Sequence, residues 1–119
     1  MHFVAAAGNN AADAIKQSPA SEQSIVTVGA VDRDNQIASF SNFGPVLDVF
    51  ALGVGVRAAF IGSPQATAVL SGTSMASPAV AGTLALELSK YGKASPQDLQ
   101  ASLKKNAQPV VTGQPDGTT

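Results

Sequence analysis

Ser71-Gly72-Thr73-Ser74-Met75-Ala76-Ser77-Pro78 opens straight into an apolar run over residues 79–88. The octapeptide is small, glycine-bearing and rich in hydroxyls, which suits a tight turn delivering one hydroxyl to the start of a buried helix. Two fields meet a serine in that place. The unpaired N–H groups of the first helical turn point toward it, and the positive end of the helix dipole favours negative charge nearby. Gly72 lets another backbone, such as a bound peptide, approach closely. Pro78 is expected within the first turns, where a missing N–H is least disruptive. Ser74 is therefore a candidate nucleophile. Taken alone, the octapeptide reads equally well as an N-cap, since Ser and Thr cap helices routinely.

Outward from this stretch, the chain alternates short apolar runs with glycine- and asparagine-marked turns. Residues 3–7 form a continuous apolar run ending in Gly8-Asn9-Asn10, which predicts a strand buried on both faces. Asn9 then falls just past a strand's carboxyl end, where open α/β sheets place ligand sites; the same string also reads as an ordinary turn. Residues 13–17 predict a helical turn or loop, and Ser18-Pro19-Ala20-Ser21 an ordered surface turn. Residues 24–31 predict a second buried strand. Residues 32–35 predict a turn and 40–43 a loop packed on the body. Residues 47–51 predict a third strand with Asp48 inside an apolar run, where a carboxylate needs a partner.

Gly53-Val54-Gly55 predicts a loop and lacks the third glycine of a nucleotide fingerprint. Residues 56–61 and 66–70 predict paired strands around Gly62-Ser63-Pro64. The helix that begins at Ser74 is expected to reach residue 88 or 91, to stop at Gly92, and to be buried all round, because apolar side chains cover nearly every side of it. Ser95-Pro96-Gln97-Asp98 marks a second helix start. Leu99, Leu103 and Ala107 give that helix a narrow apolar face, and Lys104-Lys105 suit its C-terminal end. Residues 108–119 predict a flexible tail.

Five ordered motifs now carry a resemblance: Ala6-Ala7-Gly8-Asn9, Ser18-Pro19-Ala20-Ser21, Val26-Thr27-Val28-Gly29-Ala30, Phe40-Ser41-Asn42-Phe43-Gly44 and Gly72-Thr73-Ser74-Met75-Ala76-Ser77-Pro78. Together they resemble the C-terminal part of the catalytic domain of subtilisin-like serine proteases, in the proteinase K-like fungal branch of peptidase family S8. The match runs from about residue 2 to 107. Ala79 stands where the family usually has histidine, and Leu52 where a proline is common.

The resemblance implies an α/β fold: the C-terminal portion of a three-layer arrangement, with parallel strands, a buried nucleophile helix and a C-terminal surface helix. Residues 1–107 would be a partial catalytic domain. The resemblance also implies peptide-bond hydrolysis through Ser74, with Asn9 donating to the oxyanion. Ala6, Ala7, Gly8 and Thr73 would contact a peptide or protein substrate. No cofactor is implied for the chemistry. A structural calcium is implied at Asp48, with backbone carbonyls of Gln23 and Ile25; the alternative is Asp48 hydrogen-bonded to nearby N–H groups. The family is mostly secreted or vacuolar.

The family orders its triad Asp, His, Ser along the chain, and only the serine-bearing part is found here. His2 is the single histidine. It precedes the first strand, and a general base must reach the nucleophile, so His2 is not expected to be that base. This leaves two function classes: a serine endopeptidase lineage whose chain is inactive alone, and a non-catalytic protease-derived binding module. An unrelated hydrolase pairing Ser74 with a carboxylate is a third.

Composition narrows the partners. The chain has 119 residues, 45% hydrophobic and 13% charged, which bounds it to one core-forming domain. A net charge of -1 without a basic cluster, and few aromatics, disfavour nucleic acid and anionic membrane. Zero cysteines remove disulfides and thiolate metal sites. Neither a leader nor a spanning run of about 20 apolar residues is expected. A partial sheet is expected to expose apolar surface and to self-associate.

Overall fold

Apolar and β-branched residues build the sheet, as their continuous runs require. The computed structural model describes residues 1–118. Strands β1 (Val4–Ala6), β2 (Val26–Val31) and β3 (Val49–Leu52) run parallel in that order. Val4 pairs with Val26, and Val28 with Val49. All of β2 is buried, as a central strand covered on both faces should be. Helix α1 (Thr73–Tyr91) lies across one face. There Val26, Val28 and Ala30 meet Ala76, Val80 and Leu84, with Leu99 of helix α2 (Pro96–Asn106) closing the cluster. The alternate residues of β2 face the other way. On that side a Cβ added to Gly29 would fall 2.4 Å from Phe50 Cε1, so only glycine leaves room for the ring.

The antiparallel ribbon of β4 (Val56–Ala59) and β5 (Thr67–Leu70) forms around the Gly62-Ser63-Pro64 turn, as its sequence suggests. It returns the chain to the start of α1. Gly92, with φ +85°, ends α1 and donates its N–H to the carbonyl of Leu88. Ser95 caps α2 by accepting from the N–H of Asp98.

Several expectations are revised. Asp48 is not inside β3 but immediately before it. Pro78, the sixth residue of α1, is within its first two turns as expected, and its missing N–H leaves the carbonyl of Ser74 without the usual i−4 partner. Helix α1 is buried along one face only, at Thr73, Ala76, Val80 and Leu84. Ala79, Ala81, Ala85 and Leu86 are exposed, Leu86 at 73%. The physical reason is that the sheet supplies one packing partner, and nothing else among the described residues covers the opposite side. After α2, Thr112 exchanges backbone hydrogen bonds with Asn35 and Ile37, and the hydroxyl of Thr118 accepts from the N–H of Gly44.

Candidate active site

The carboxyl end of β1 and the amino end of α1 meet at Asn9 and Thr73. The Asn9 Oδ1 accepts from the Thr73 backbone N–H and from its hydroxyl, both at 2.8 Å. The same hydroxyl accepts from the Gly8 N–H at 3.2 Å. A backbone N–H can only donate, so the amide oxygen of Asn9 must face Thr73 and its Nδ2 must face away.

Ser74 follows Thr73 inside the first turn of α1. The N-cap is Gly72, with no side-chain capping bond. The Ser74 side chain is exposed and its hydroxyl makes no hydrogen bond among the described residues. That removes the capping alternative. Its backbone N–H belongs to the first helical turn and has no partner within the helix. A methyl group placed on Gly72 would lie 3.5 Å from Asn9 Nδ2 and 3.7 Å from the Ser74 nitrogen. Two hydrogen-bond donors therefore border one spot beside the Ser74 turn.

The sequence-predicted substrate residues divide. Ala7 and Thr73 are fully buried, which corrects their placement as substrate contacts. The N–H of Ala7 goes to the Val28 carbonyl and its carbonyl to Asn42. Thr73 is spent on Asn9 and Gly8. Both support the site from beneath. Gly8 has φ +102° and also gives its carbonyl to the Asn42 N–H. Ala6 is partly buried at the end of β1.

Sequence reasoning missed two supports. Asn42, 2% exposed, accepts from the N–H groups of Asn10 and Ala12 and donates to the Ala7 carbonyl. It thereby fixes the loop carrying Asn9, in which Ala11 holds the left-handed φ of +49°. Gly53 holds the serine turn: its carbonyl accepts from the Gly72 N–H at 2.7 Å, and a Cβ on it would fall 2.7 Å from the Gly72 carbonyl oxygen. The signal for Asn42 was its place in Ser-Asn-Phe-Gly, though a loop asparagine by itself reads as turn chemistry.

His2 is placed elsewhere. It borders a small cavity with Leu84 and Leu99. Leu84 is ten residues along α1 from Ser74, or about 15 Å at the helical rise, so His2 is no base for this serine. Glu22, fully exposed, is lowered below the ordinary carboxylate range by the backbone N–H of Ser24 and takes no part in the cluster. A cavity of about 1070 Å³ lies between β3, α1 and the segment after α2 and includes neither Asn9 nor Ser74.

The calcium expectation meets a different arrangement. Asp48 Oδ2 accepts from the Thr27 N–H at 2.8 Å. Its Oδ1 accepts from Gln100 Nε2 at 2.8 Å and from Lys104 Nζ at 2.8 Å. The Ile25 carbonyl accepts from Gln100 at 3.2 Å, while Gln23 lines the cleft beside Asp48. No group of three or more His, Cys, Asp or Glu converges among the described residues. A divalent ion about 4 Å from an ammonium would be repelled by roughly 8 kcal/mol at an effective dielectric near 20, less at an ammonium half open to water. As arranged, Asp48, Gln23 and Ile25 do not fit calcium.

The subtilase family model (peptidase S8) matches residues 1–118. The chain is 52% identical over 112 residues to the subtilisin-like proteinase Mp1 of Magnaporthiopsis poae, covering 92% of this chain and 28% of that one. It is 53% identical over 89 residues to cerevisin of Saccharomyces cerevisiae, covering 75% of this chain and 14% of that one. The crystal structure of a cold-adapted subtilisin-like serine proteinase superposes with a TM-score of 0.93 at 39% identity, over 99% of this chain and 42% of that one. The chain thus spans between 14% and 35% of the length of such curated relatives. A serine at a helix mouth, an asparagine amide beside it and a match along the whole described chain place this protein in the subtilisin-like serine protease family.

Proposed function

We propose that this chain carries the nucleophile and oxyanion-binding part of a serine endopeptidase site. Ser74 attacks the scissile carbonyl. Asn9 Nδ2 and the Ser74 N–H receive the charge that develops on the carbonyl oxygen. Thr73 holds the Asn9 amide in the donating orientation. The observation that carries this reading is that Asn9 spends its oxygen on Thr73, so that its NH₂ is turned toward the spot beside Gly72 that the Ser74 N–H also borders. A serine hydroxyl needs a base to become nucleophilic, and His2 sits beside Leu84, which is about 15 Å along α1 from Ser74. The chain alone is therefore inactive, and the base comes from outside these 119 residues. The exposed face of α1, with Leu86 at 73% and Tyr91 at 72%, is where further polypeptide packs, and it gives the isolated chain a route to self-association.

The test is a graft. These residues replace the matching segment of a complete subtilisin-like proteinase, and a fluorophosphonate probe is applied to the graft and to the chain alone. Stoichiometric labelling of Ser74 in the graft, with none in the chain alone, is expected. A folded graft that stays unlabelled would sink the proposal and favour the non-catalytic binding module.

Within that graft, Asn9→Ala is expected to lower kcat by about 10²–10³ with KM little changed. That range is the one measured for the oxyanion asparagine of subtilisin itself. Steady-state kinetics on a peptide substrate checks it, and an equal rise in KM with kcat intact would show that Asn9 only binds the ground state.

A further inference from the structure

The segment before β2, the start of β3 and helix α2 converge on one buried carboxylate. The Asp48 side chain is 5% exposed, while that of Lys104 is 44% exposed. Gln100 and Lys104 sit four residues apart on α2, hence on one face of it. From that face both reach Asp48 Oδ1 at 2.8 Å. Gln100 also donates to the Ile25 carbonyl at 3.2 Å, and the Thr27 N–H takes Oδ2 at 2.8 Å. A cleft of about 380 Å³, lined by Gln23, Asp48, Gln97, Gln100 and Lys104 among others, surrounds the pair.

This cluster has the oxygen chemistry of a hard-cation site, namely a carboxylate with a backbone carbonyl beside it. Calcium needs such oxygens bare and at about 2.3–2.6 Å. Here the oxygens are turned to N–H donors, and an ammonium already stands at hydrogen-bonding distance.

We propose that Lys104 is a tethered counter-ion which occupies the cation position at Asp48, shuts calcium out of it, and clasps α2 to the sheet. The proposal is independent of the catalytic reading, since Asp48 and Lys104 lie outside the Asn9–Ser74 cluster. The positive charge is covalent, so this clasp does not depend on calcium supply. Lys104 works with Gln100, whose amide bridges Asp48 to the Ile25 carbonyl.

The 119-residue chain, titrated with calcium up to about 10 mM, the weak end of extracellular calcium sites, provides the test. Thermal unfolding and isothermal titration calorimetry are read, with magnesium as the ionic-strength control. The wild-type chain is expected to show no saturable heat and no rise in Tm beyond the magnesium control. Lys104→Met keeps most of the stem and removes the charge. It is expected to unfold at a lower temperature without calcium and to gain saturable calcium binding, at least about tenfold tighter than wild type, in the millimolar range. Lys104→Arg keeps the charge and is expected to remain calcium-blind. Should Lys104→Met fail to fold, the wild-type and arginine titrations still decide. Saturable calcium binding by either of them overturns the proposal. So does a folded Lys104→Met chain that binds no calcium, because the lysine would then not be what excludes the ion.

Discussion

Ser74→Ala, introduced into the grafted enzyme, is expected to lower kcat by about 10⁶, the loss seen when the serine of subtilisin is removed. The size follows from what the hydroxyl does. Without it no acyl-enzyme forms, and the remaining rate comes from the oxyanion donors and substrate binding, worth about 10³–10⁴ over water. Fold and stability should be nearly untouched: the side chain is exposed, caps nothing, and makes no hydrogen bond among the described residues. Exposed substitutions of that kind usually stay within about 0.5 kcal/mol. The paired measurement is therefore kcat with the urea midpoint. A full loss of turnover with an unmoved midpoint is the expected result. A drop of less than about tenfold would mean that another group performs the attack. A shifted midpoint would mean that the hydroxyl holds structure after all.

Much of this arrangement was legible in the chain because its signals are local. The three strands are continuous apolar runs, and the turn before α1 is written in glycine and hydroxyls within eight residues. Asn9 was legible as a candidate site residue because it lies just past the carboxyl end of a strand. What could not be read depends on contacts between distant segments. The apolar surround of α1 reads as full burial, yet sequence alone cannot say how many partners reach it; here the sheet covers one face. Asp48 announced that it needed a partner, but that partner lies on α2, where Lys104 reads as a dipole-matched surface lysine and Gln100 as an ordinary polar residue. Ala7 was expected to contact substrate because the family resemblance implies it. In the fold it is fully buried and faces Leu47 and Ala14. Strand alternation makes such a one-residue difference decisive.

Asn42→Ala is expected to destabilise the fold by about 2–5 kcal/mol, because three backbone groups lose one shared partner. The Ala7 carbonyl is in a residue with no exposure, so leaving it unpaired costs about 1–3 kcal/mol. The N–H groups of Asn10 and Ala12 belong to exposed residues, so water replaces Asn42 there and each loss is closer to 0.5–1 kcal/mol. A fall in the urea midpoint at constant m reads this directly. Asn42→Asp separates the two kinds of contact. Its carboxylate still accepts from Asn10 and Ala12, but an oxygen now faces the Ala7 carbonyl where an NH₂ stood. Two acceptors in a 2% exposed site repel, so the aspartate is expected to be no more stable than the alanine. In the grafted enzyme both changes should lower kcat at conditions where the fold persists, since Asn10 is the covalent neighbour of Asn9 and a donor displaced by about 1 Å can cost 10²-fold. If Asn42→Asp keeps wild-type stability and turnover, the bond to the Ala7 carbonyl is dispensable, and the bonds the aspartate retains to Asn10 and Ala12, with the backbone bonds to Gly8, Phe40 and Phe43, suffice to hold the loop bearing Asn9.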